Sequence, residues 1–203
     1  MKIICVGRNY RDHAAELNNP VPKEPVIFIK PDSALLQKNM PFFIPPFSKD
    51  IHYELEVVIR IHRIGKHIQS KFAHKYYDQV GLGIDFTARD LQQQLKSKGL
   101  PWERAKSFDG AAYVSPFLKL SEVEDVSALD FSLTKNGTTV QQGNTRDMLW
   151  GVDELIAYIS QYFTLKIGDL IFTGTPAGVG PVQEDDRLEG FIGERSMFQL
   201  KIK

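Results

Sequence analysis

The chain has 203 residues, of which 42% are apolar and 25% charged, as is typical of a soluble globular protein. This length can bury a substantial core. No repeat, linker or low-complexity tract divides the chain, so we expect residues 1–203 to form a single domain. The 25 basic residues cancel the 25 acidic residues, which argues against binding to nucleic acid or to an anionic membrane surface.

The one cysteine, Cys5, cannot form an internal disulfide. It lies in a short apolar run, so we expect a buried thiol in a reducing compartment, the cytoplasm. No apolar run approaches the roughly 18 residues of a membrane span, and the N-terminal residues do not match a secretory signal.

Near the N-terminus, residues 2–6 are predicted to form a strand and residues 10–17 a short helix, with Asn9 as its N-cap. On that helix His13 and Glu16 are three residues apart and share one face. The pair has two interpretations. The residues alone favour a surface contact worth a few tenths of a kcal/mol, while the functional interpretation is a base oriented by a carboxylate on a mobile lid.

Residues 51–61 alternate between apolar and polar side chains, as in a half-buried strand. Glu54 and Glu56 then project from one face, roughly 6.6 Å apart. Glutamates on a solvated strand face are ordinary, but two carboxylates at this spacing can also bind one hard cation. Asp85 is the candidate third ligand, because it lies near the end of a predicted strand, residues 80–86, and has no other structural role.

Thr87 is the predicted N-cap of a helix over residues 88–98, with Asp90 at its N3 position and Gly99 as its C-cap. Three polar residues in or after this helix have a solvated surface as their simplest interpretation: Arg89, Gln92 and Lys106.

Beyond residue 110 the pattern is mostly β. Asn136-Gly137 predicts a type I′ hairpin turn, and apolar residues at i, i+3, i+4 and i+7 predict a core-packed helix over residues 152–162. Strands are predicted over residues 111–114, 129–135, 138–142, 170–173 and 197–202.

The glycine-rich segment 171–180 lacks the Lys-Ser/Thr of a P-loop, and this excludes a P-loop nucleotide site. Two interpretations remain. Backbone N–H groups and the Thr175 hydroxyl can contact an anion, or the segment is a tight surface turn.

Together these motifs resemble the fumarylacetoacetate hydrolase family, in particular its short acylpyruvase and oxaloacetate decarboxylase branch. Singly each motif is weak, but six in order across nearly the whole chain are specific. They are Val6-Gly7-Arg8-Asn9-Tyr10-x-x-His13, His52-x-Glu54-x-Glu56, Asp85-x-Thr87-Ala88-Arg89-Asp90, Gly99-Leu100-Pro101-Trp102, Lys106-Ser107-Phe108 and Thr173-Gly174-Thr175-Pro176-x-Gly178-Val179-Gly180.

The resemblance implies an α+β fold that is mostly β, a mixed β-sandwich roll with a few short helices, assembled as a homodimer. It also implies a role for each candidate residue. Glu54, Glu56 and Asp85 match the family's metal ligands; His13 and Glu16 match its catalytic dyad, and Lys106 its active-site lysine; Arg89, Gln92 and Thr175 fall where the family contacts substrate.

Oxygen-only ligands favour Mg²⁺ or Mn²⁺ over zinc. The resemblance therefore predicts metal-dependent cleavage of a C–C bond in a small 2-oxo acid, through a metal-stabilised pyruvate enolate. Either acylpyruvate hydrolysis or oxaloacetate decarboxylation fits this description. In the first reaction, His13 oriented by Glu16 would activate water.

Two other functions compete with this prediction. One is a 2-hydroxy-diene-dioate isomerase or hydratase of the same family, which shares the three carboxylates but needs no water-activating dyad. The other is a non-enzymatic binding domain, which the presence of all three carboxylates disfavours.

Overall fold

The structure is a computed structural model that describes residues 1–16 and 20–203. The strands are β1 (Ile3–Gly7), β2 (Val26–Lys30), β3 (Ile51–Tyr53), β4 (Leu55–Ile61), β5 (Tyr77–Asp85), β6 (Thr87–Ala88), β7 (Ala112–Val114), β8 (Leu118–Lys119), β9 (Asp130–Lys135), β10 (Thr138–Asn144), β11 (Leu170–Phe172), β12 (Gly180–Pro181), β13 (Arg187–Ile192) and β14 (Arg195–Lys201). The helices are α1 (Arg11–Glu16), α2 (Ser70–Ala73), α3 (Arg89–Ser97), α4 (Glu103–Lys106) and α5 (Val152–Tyr162).

The central sheet has the strand order β2-β1-β11-β4-β5-β7, and β8 also pairs with β5. Strands β1 and β11 run parallel, whereas the other pairs in this sheet are antiparallel. Because β1, β4 and β11 are buried almost throughout, this sheet packs on both faces, as expected for strands with near-continuous apolar runs.

Two smaller sheets complete the architecture, one ordered β10-β9-β13-β14 and the other β12-β3-β6. The predicted α+β fold, mostly β with a few short helices, is confirmed. The Asn136-Gly137 turn is confirmed as well, since both residues have positive φ, 54° and 83°, and join β9 to β10. The sequence pattern missed β13, in which Gly190 interrupts the apolar alternation.

Helix α5 is confirmed at its predicted bounds, and the four residues of its apolar stripe are buried. Cys5 is also buried, as predicted. In the described part of the chain, none of the helices has the length and apolar character needed to span a membrane.

The predicted strand over residues 51–61 breaks at Glu54 into β3 and β4, which belong to different sheets. The interpretation of the second face as solvated does not hold, because Glu54, Glu56 and Val58 are all buried. Period-two alternation cannot reveal this burial. The basic side chains that pair with Glu54 on this face, Arg89 and Lys106, lie far from it in sequence.

The predicted caps of two helices are also wrong. Thr87 lies in β6, and the residue before α3 is Ala88, which makes no side-chain cap. Asp90 instead accepts hydrogen bonds from Ser48 Oγ at 2.6 Å and Lys49 N at 3.1 Å, so it fixes the loop before β3 to the start of α3. The C-cap is confirmed, with φ of +62° at Gly99.

Asn9 does not cap α1. Its fully buried side chain donates to the carbonyls of Trp150 (3.0 Å) and Thr173 (2.7 Å) and accepts from Trp150 N–H at 3.0 Å. It therefore joins the N-terminal end of α1 to two segments far along the chain. The predicted last residue of this helix, Leu17, lies outside the described residues.

Asn9→Ala is expected to lower the free energy of unfolding by about 2–4 kcal/mol, because it leaves the buried carbonyl of Thr173 and the partly buried backbone groups of Trp150 without this partner. Urea denaturation measures the change. The control is Gln94→Ala on the exposed side of α3, which should stay within about 0.5 kcal/mol of the parent. A loss below about 1 kcal/mol for Asn9→Ala would contradict this role.

Candidate active site and metal centre

The predicted site residues converge on one small cavity of about 40 Å³. It is lined by the end of β1 and by β2, β4, β5, α1, α3 and α4. Eight of the nine residues line it, and the ninth, Glu16, contacts His13 from the rim. The charged and polar lining residues are Arg8, His13, Glu54, Glu56, Asp85, Arg89, Gln92, Lys96, Lys106 and Thr175.

The pairing of β4 with β5 brings three carboxylates together. Leu55 pairs with Ile84 and Glu56 with Gly83, so Asp85 at the end of β5 reaches the level of Glu54. Ligand oxygens of Glu54, Glu56 and Asp85 all lie within 4.8 Å of one another. The three residues are only 5%, 2% and 1% exposed, respectively, so they do not form a solvated face.

Two glycines allow this close approach. A Cβ on Gly83 would lie 2.6 Å from the ring of Phe172, so the backbone opposite Glu56 leaves no room for a side chain. Gly174 has φ of +103°, a conformation that L-residues rarely adopt. In this conformation its N–H donates to Glu56 Oε2 at 2.7 Å. The backbone N–H that the glycine-rich segment was predicted to offer to an anion thus binds the chain's own carboxylate.

Lys106 bridges two of the carboxylates. Its ammonium donates to Glu54 Oε2 at 2.8 Å, Asp85 Oδ2 at 2.9 Å and Thr87 Oγ1 at 2.6 Å. Lys106 ends the short helix α4 and is buried, so the surface interpretation of this lysine is wrong.

Arg89 supplies a second cation from α3. Its Nη2 donates to Glu54 Oε1, and its Nη1 donates to Gln92 Oε1 at 2.7 Å. Both Arg89 and Gln92 are buried, so the simpler interpretation of these residues as a solvated helix face does not hold. This face of α3 turns inward because the helix packs against α4, β3 and β6.

His13 and Glu16 form a pair at the mouth of the cavity. His13 is buried, and its Nδ1 lies 3.3 Å from Glu16 Oε2. The other oxygen, Glu16 Oε1, accepts a hydrogen bond from Gly178 N–H at 3.0 Å. The pair is therefore fixed between α1 and the loop after β11 and is not a free surface contact.

Thr175 lies in the same loop. Its hydroxyl accepts a hydrogen bond from Gln141 Nε2 at 2.9 Å, and Gln141 Oε1 accepts from Leu55 N–H at 2.8 Å. Gln141 thereby connects the loop to the backbone between Glu54 and Glu56.

The family model described as "Fumarylacetoacetate (FAA) hydrolase C-terminal" matches residues 2–202. The chain belongs to the fumarylacetoacetate hydrolase family. It is 40% identical over 201 residues to the mitochondrial oxaloacetate tautomerase FAHD1 of Mus musculus, with 99% of this chain and 91% of the relative covered. It is 44% identical over 183 residues to the mitochondrial oxaloacetate decarboxylase of Dictyostelium discoideum, with 90% and 84% covered.

Solved structures agree with this family assignment. The chain is similar, with a TM-score of 0.93 and 33% identity, to a fumarylpyruvate hydrolase from Pseudomonas aeruginosa in complex with Mn²⁺ and pyruvate. All of this chain and 89% of that chain are covered. The fold predicted from the family resemblance is thus the fold observed.

In this member of the fumarylacetoacetate hydrolase family the pKa values of Glu54 and Glu56 are shifted in opposite directions. Burial alone would raise the pKa of Glu54, but Lys106 and Arg89 outweigh it and hold that pKa far below its usual range. Burial followed by repulsion from Asp85 raises the pKa of Glu56 well above its ordinary value. The Glu56 carboxylate therefore has the least compensation of the three.

A hard cation fits this donor set. Lys30 Nζ lies 2.8 Å from Asp85 Oδ1, but not at a hydrogen-bonding angle, so this buried oxygen has no hydrogen-bond donor among the described residues. Three carboxylates are the oxygen ligands that Mg²⁺ and Mn²⁺ prefer. Because these ligand oxygens lie within 4.8 Å of one another, one cation could contact all three carboxylates.

Four residues of this site were not predicted from the sequence: Arg8, Lys30, Lys96 and Gln141. The spacing of Lys96 could have indicated its place in the site, since it continues the Arg89–Gln92 face one turn further along α3. Lys30 closes an apolar strand, where a buried lysine is rare unless it is paired. Gln141 looks like an ordinary polar strand residue, and no local pattern distinguishes it.

Glu56→Gln is expected to stabilise the protein in the presence of a chelator at pH 7. Because the folded-state pKa of Glu56 is raised, its ionisation opposes folding at any pH above the unfolded value of about 4.3. This cost grows with pH until the pH reaches the folded-state pKa, by about 1.4 kcal/mol per pH unit. Thermal unfolding with EDTA measures the difference, with exposed Glu124→Gln as the control.

With Mn²⁺ in place of EDTA the order should reverse, because the variant loses a ligand and gains less stability from the cation. A Glu56→Gln protein that is less stable than the parent in EDTA would contradict the assigned electrostatics.

Proposed function

We propose that this protein is a divalent-metal-dependent enzyme that cleaves a C–C bond in small 2-oxo acids, by acylpyruvate hydrolysis or oxaloacetate decarboxylation. The observation that carries the proposal is the convergence of three buried carboxylates with His13 and Lys106 in one cavity. The chemistry named for the relatives agrees with it, since both activities release or interconvert the enolate of a 2-oxo acid.

Glu54, Glu56 and Asp85 are the proposed ligands of Mg²⁺ or Mn²⁺. Their mutual distances and the buried oxygen of Asp85 that lacks a donor support this role, as does the Mn²⁺ named for the related fumarylpyruvate hydrolase. When bound, such a cation supplies a Lewis acid to the oxygens of the 2-oxo acid.

Lys106 is proposed to stabilise the charge that develops on the pyruvate half. Burial would lower its pKa, but Asp85 and Glu54 outweigh burial and raise it, so the side chain stays an ammonium. A fixed positive charge in a buried cavity stabilises a developing oxyanion strongly. Arg89, Gln92 and Thr175 line the same cavity and are the proposed substrate contacts.

His13 is the proposed general base for hydrolysis. It removes a proton from water, the water oxygen attacks the distal carbonyl, and the C–C bond then breaks to leave the carboxylic acid and the enolate of pyruvate, which is protonated on carbon. Glu16 orients the ring through Nδ1, the arrangement by which a carboxylate positions a catalytic histidine. Decarboxylation of oxaloacetate gives the same enolate with loss of CO₂ and needs no attacking water.

Tautomerisation of oxaloacetate is a second candidate, because the relative from Mus musculus is an oxaloacetate tautomerase. This reaction moves a proton between the oxygen and a carbon of the same enol. It therefore needs the proposed base but breaks no C–C bond. The isomerase or hydratase of diene-dioates is not favoured, since the relatives described above are named for reactions of oxaloacetate or fumarylpyruvate.

By resemblance to the family, residues 1–203 are proposed to act as one catalytic domain that assembles as a homodimer. A reduced, buried Cys5 supports a cytoplasmic location for it.

Pyruvate release from acetylpyruvate and from oxaloacetate, each measured with Mn²⁺ or Mg²⁺ and with EDTA, tests the proposed reaction. We expect metal-dependent pyruvate from at least one substrate, and the ratio ranks hydrolysis against decarboxylation. Loss of the enol absorbance of oxaloacetate without pyruvate would support the tautomerase alone. No change in either substrate would overturn the proposal.

His13→Ala is expected to reduce hydrolysis of acetylpyruvate by about 10²–10⁴-fold, the usual contribution of a positioned general base. The loss in oxaloacetate decarboxylation should be smaller, because that reaction needs no activated water. Steady-state kinetics on both substrates measures the difference, with His62→Ala at an exposed position as the control. Equal losses on both substrates would show that His13 does not serve as the base.

A further inference from the structure

The cavity has a deep part and an outer part with different electrostatics. In the deep part the carboxylates face three basic groups, Lys30, Arg89 and Lys106, so negative and positive charges are equal in number. The outer part is lined by Arg8 and Lys96, which are both only partly buried. These two cations form a positive rim beyond a deep part whose side-chain charges already cancel.

Lys96, near the C-terminal end of helix α3, contributes to this rim. Arg89, Gln92 and Lys96 have the spacing i, i+3 and i+7 and all line the cavity, so they form one continuous face of the helix. Lys96 Nζ lies 5.8 Å from the ring centroid of Trp102, which also lines the cavity. The order along this face, from Arg89 at the carboxylates to Lys96, runs from the deep part outward.

Arg8 lines the same cavity from a different segment of the chain, directly after β1. Its φ of 59° is in the left-handed region, which is costly for a residue with a side chain. Among the described residues no carboxylate lies within ion-pair distance of its guanidinium. Backbone strain of this kind is found at ligand-binding sites. The strained backbone at Arg8, with its guanidinium at a cavity, therefore indicates that Arg8 binds a ligand.

The two rim cations also repel each other. Burial lowers the pKa of Lys96, and the positive charges of Arg8 and Arg89 lower it further, while Glu54 acts in the opposite direction. An anion bound between Arg8 and Lys96 would remove this repulsion. A carboxylate is well matched to such a site, because an arginine binds it in a bidentate manner and a lysine as a point charge.

We propose that Arg8 and Lys96 bind the distal carboxylate of the substrate, so that the enzyme prefers 2-oxo acids with a second carboxylate over those with an uncharged tail. The inference rests on the proposed function for the orientation of the substrate, with its 2-oxo acid end in the deep part. In this proposal the rim selects the class of substrate. The deep residues cannot do so, because they contact the 2-oxo acid end, which every 2-oxo acid has.

Binding of two inert ligands tests the inference without turnover. 2-Oxoglutarate and 2-oxopentanoate have the same carbon chain and the same 2-oxo acid end, and differ only in the distal carboxylate. Calorimetry with Mn²⁺ present should give at least tenfold tighter binding of 2-oxoglutarate by the wild-type protein, which corresponds to about 1.4 kcal/mol. Equal affinity for the two ligands would overturn the proposal.

Arg8→Gln and Lys96→Gln should each bring the two affinities closer together, mainly by weakening 2-oxoglutarate. Lys98→Gln, which removes an exposed charge from the end of the same helix, should retain the wild-type ratio and controls for net charge. Equal weakening of both ligands by the rim variants would indicate a structural role and reject the proposal.

Arg8→Gly separates binding from folding. Glycine adopts a positive φ without strain, so the melting temperature should be unchanged or higher while the preference for 2-oxoglutarate falls. A fall in melting temperature with the preference intact would reject the role of Arg8. A normal preference combined with no turnover in the pyruvate assay would instead reject the proposed reaction and leave the rim assignment standing.

Discussion

Mutual repulsion among three buried carboxylates is the constraint on which this site depends. Burying an isolated carboxylate costs several kcal/mol unless it is paired or ligated. The chain meets this requirement with one lysine from β2, one arginine from α3 and one lysine from α4. Among the described residues, Glu56 accepts a hydrogen bond from the Gly174 N–H and forms no ion pair. The packing of α3 and α4 against the sheets is therefore inseparable from the electrostatics of the site.

Charge balance explains why such a site suits an anionic substrate with a divalent cation. The three carboxylates and three basic groups already cancel, so a cation of charge two leaves an excess of two positive charges. The carboxylate of a 2-oxo acid next to the cation would offset one of these charges, and the proposed distal carboxylate would offset charge at the rim, where Arg8 and Lys96 lie. Cation and substrate are thus expected to bind more tightly together than either does alone, because each compensates for the charge that the other brings into a low-dielectric cavity.

Local patterns predicted most of the strands, α5 and the C-cap of α3, because these depend on periodicity and on residues such as Gly99. The burial of Glu54 and the role of Asn9 were not predictable in this way, since their partners lie more than thirty positions away in sequence. Eight of the nine residues that the motifs singled out line one cavity, but the motifs did not indicate the rim of that cavity. Arg8 is part of a motif, yet only the structure shows that its backbone is left-handed and that no carboxylate of the described residues forms an ion pair with it.

The parallel pairing of β1 with β11 joins Ile3 to Leu170 at the centre of the main sheet. This contact spans most of the chain, and such long-range pairings make folding slow, on the scale of milliseconds to seconds. During synthesis the carboxylates and Lys106 are all translated well before β11. Until residues 170–172 emerge, β1 and β4 each lack a neighbour and expose an apolar edge. A chain that still lacks β11 is therefore expected to be prone to aggregation through these edges.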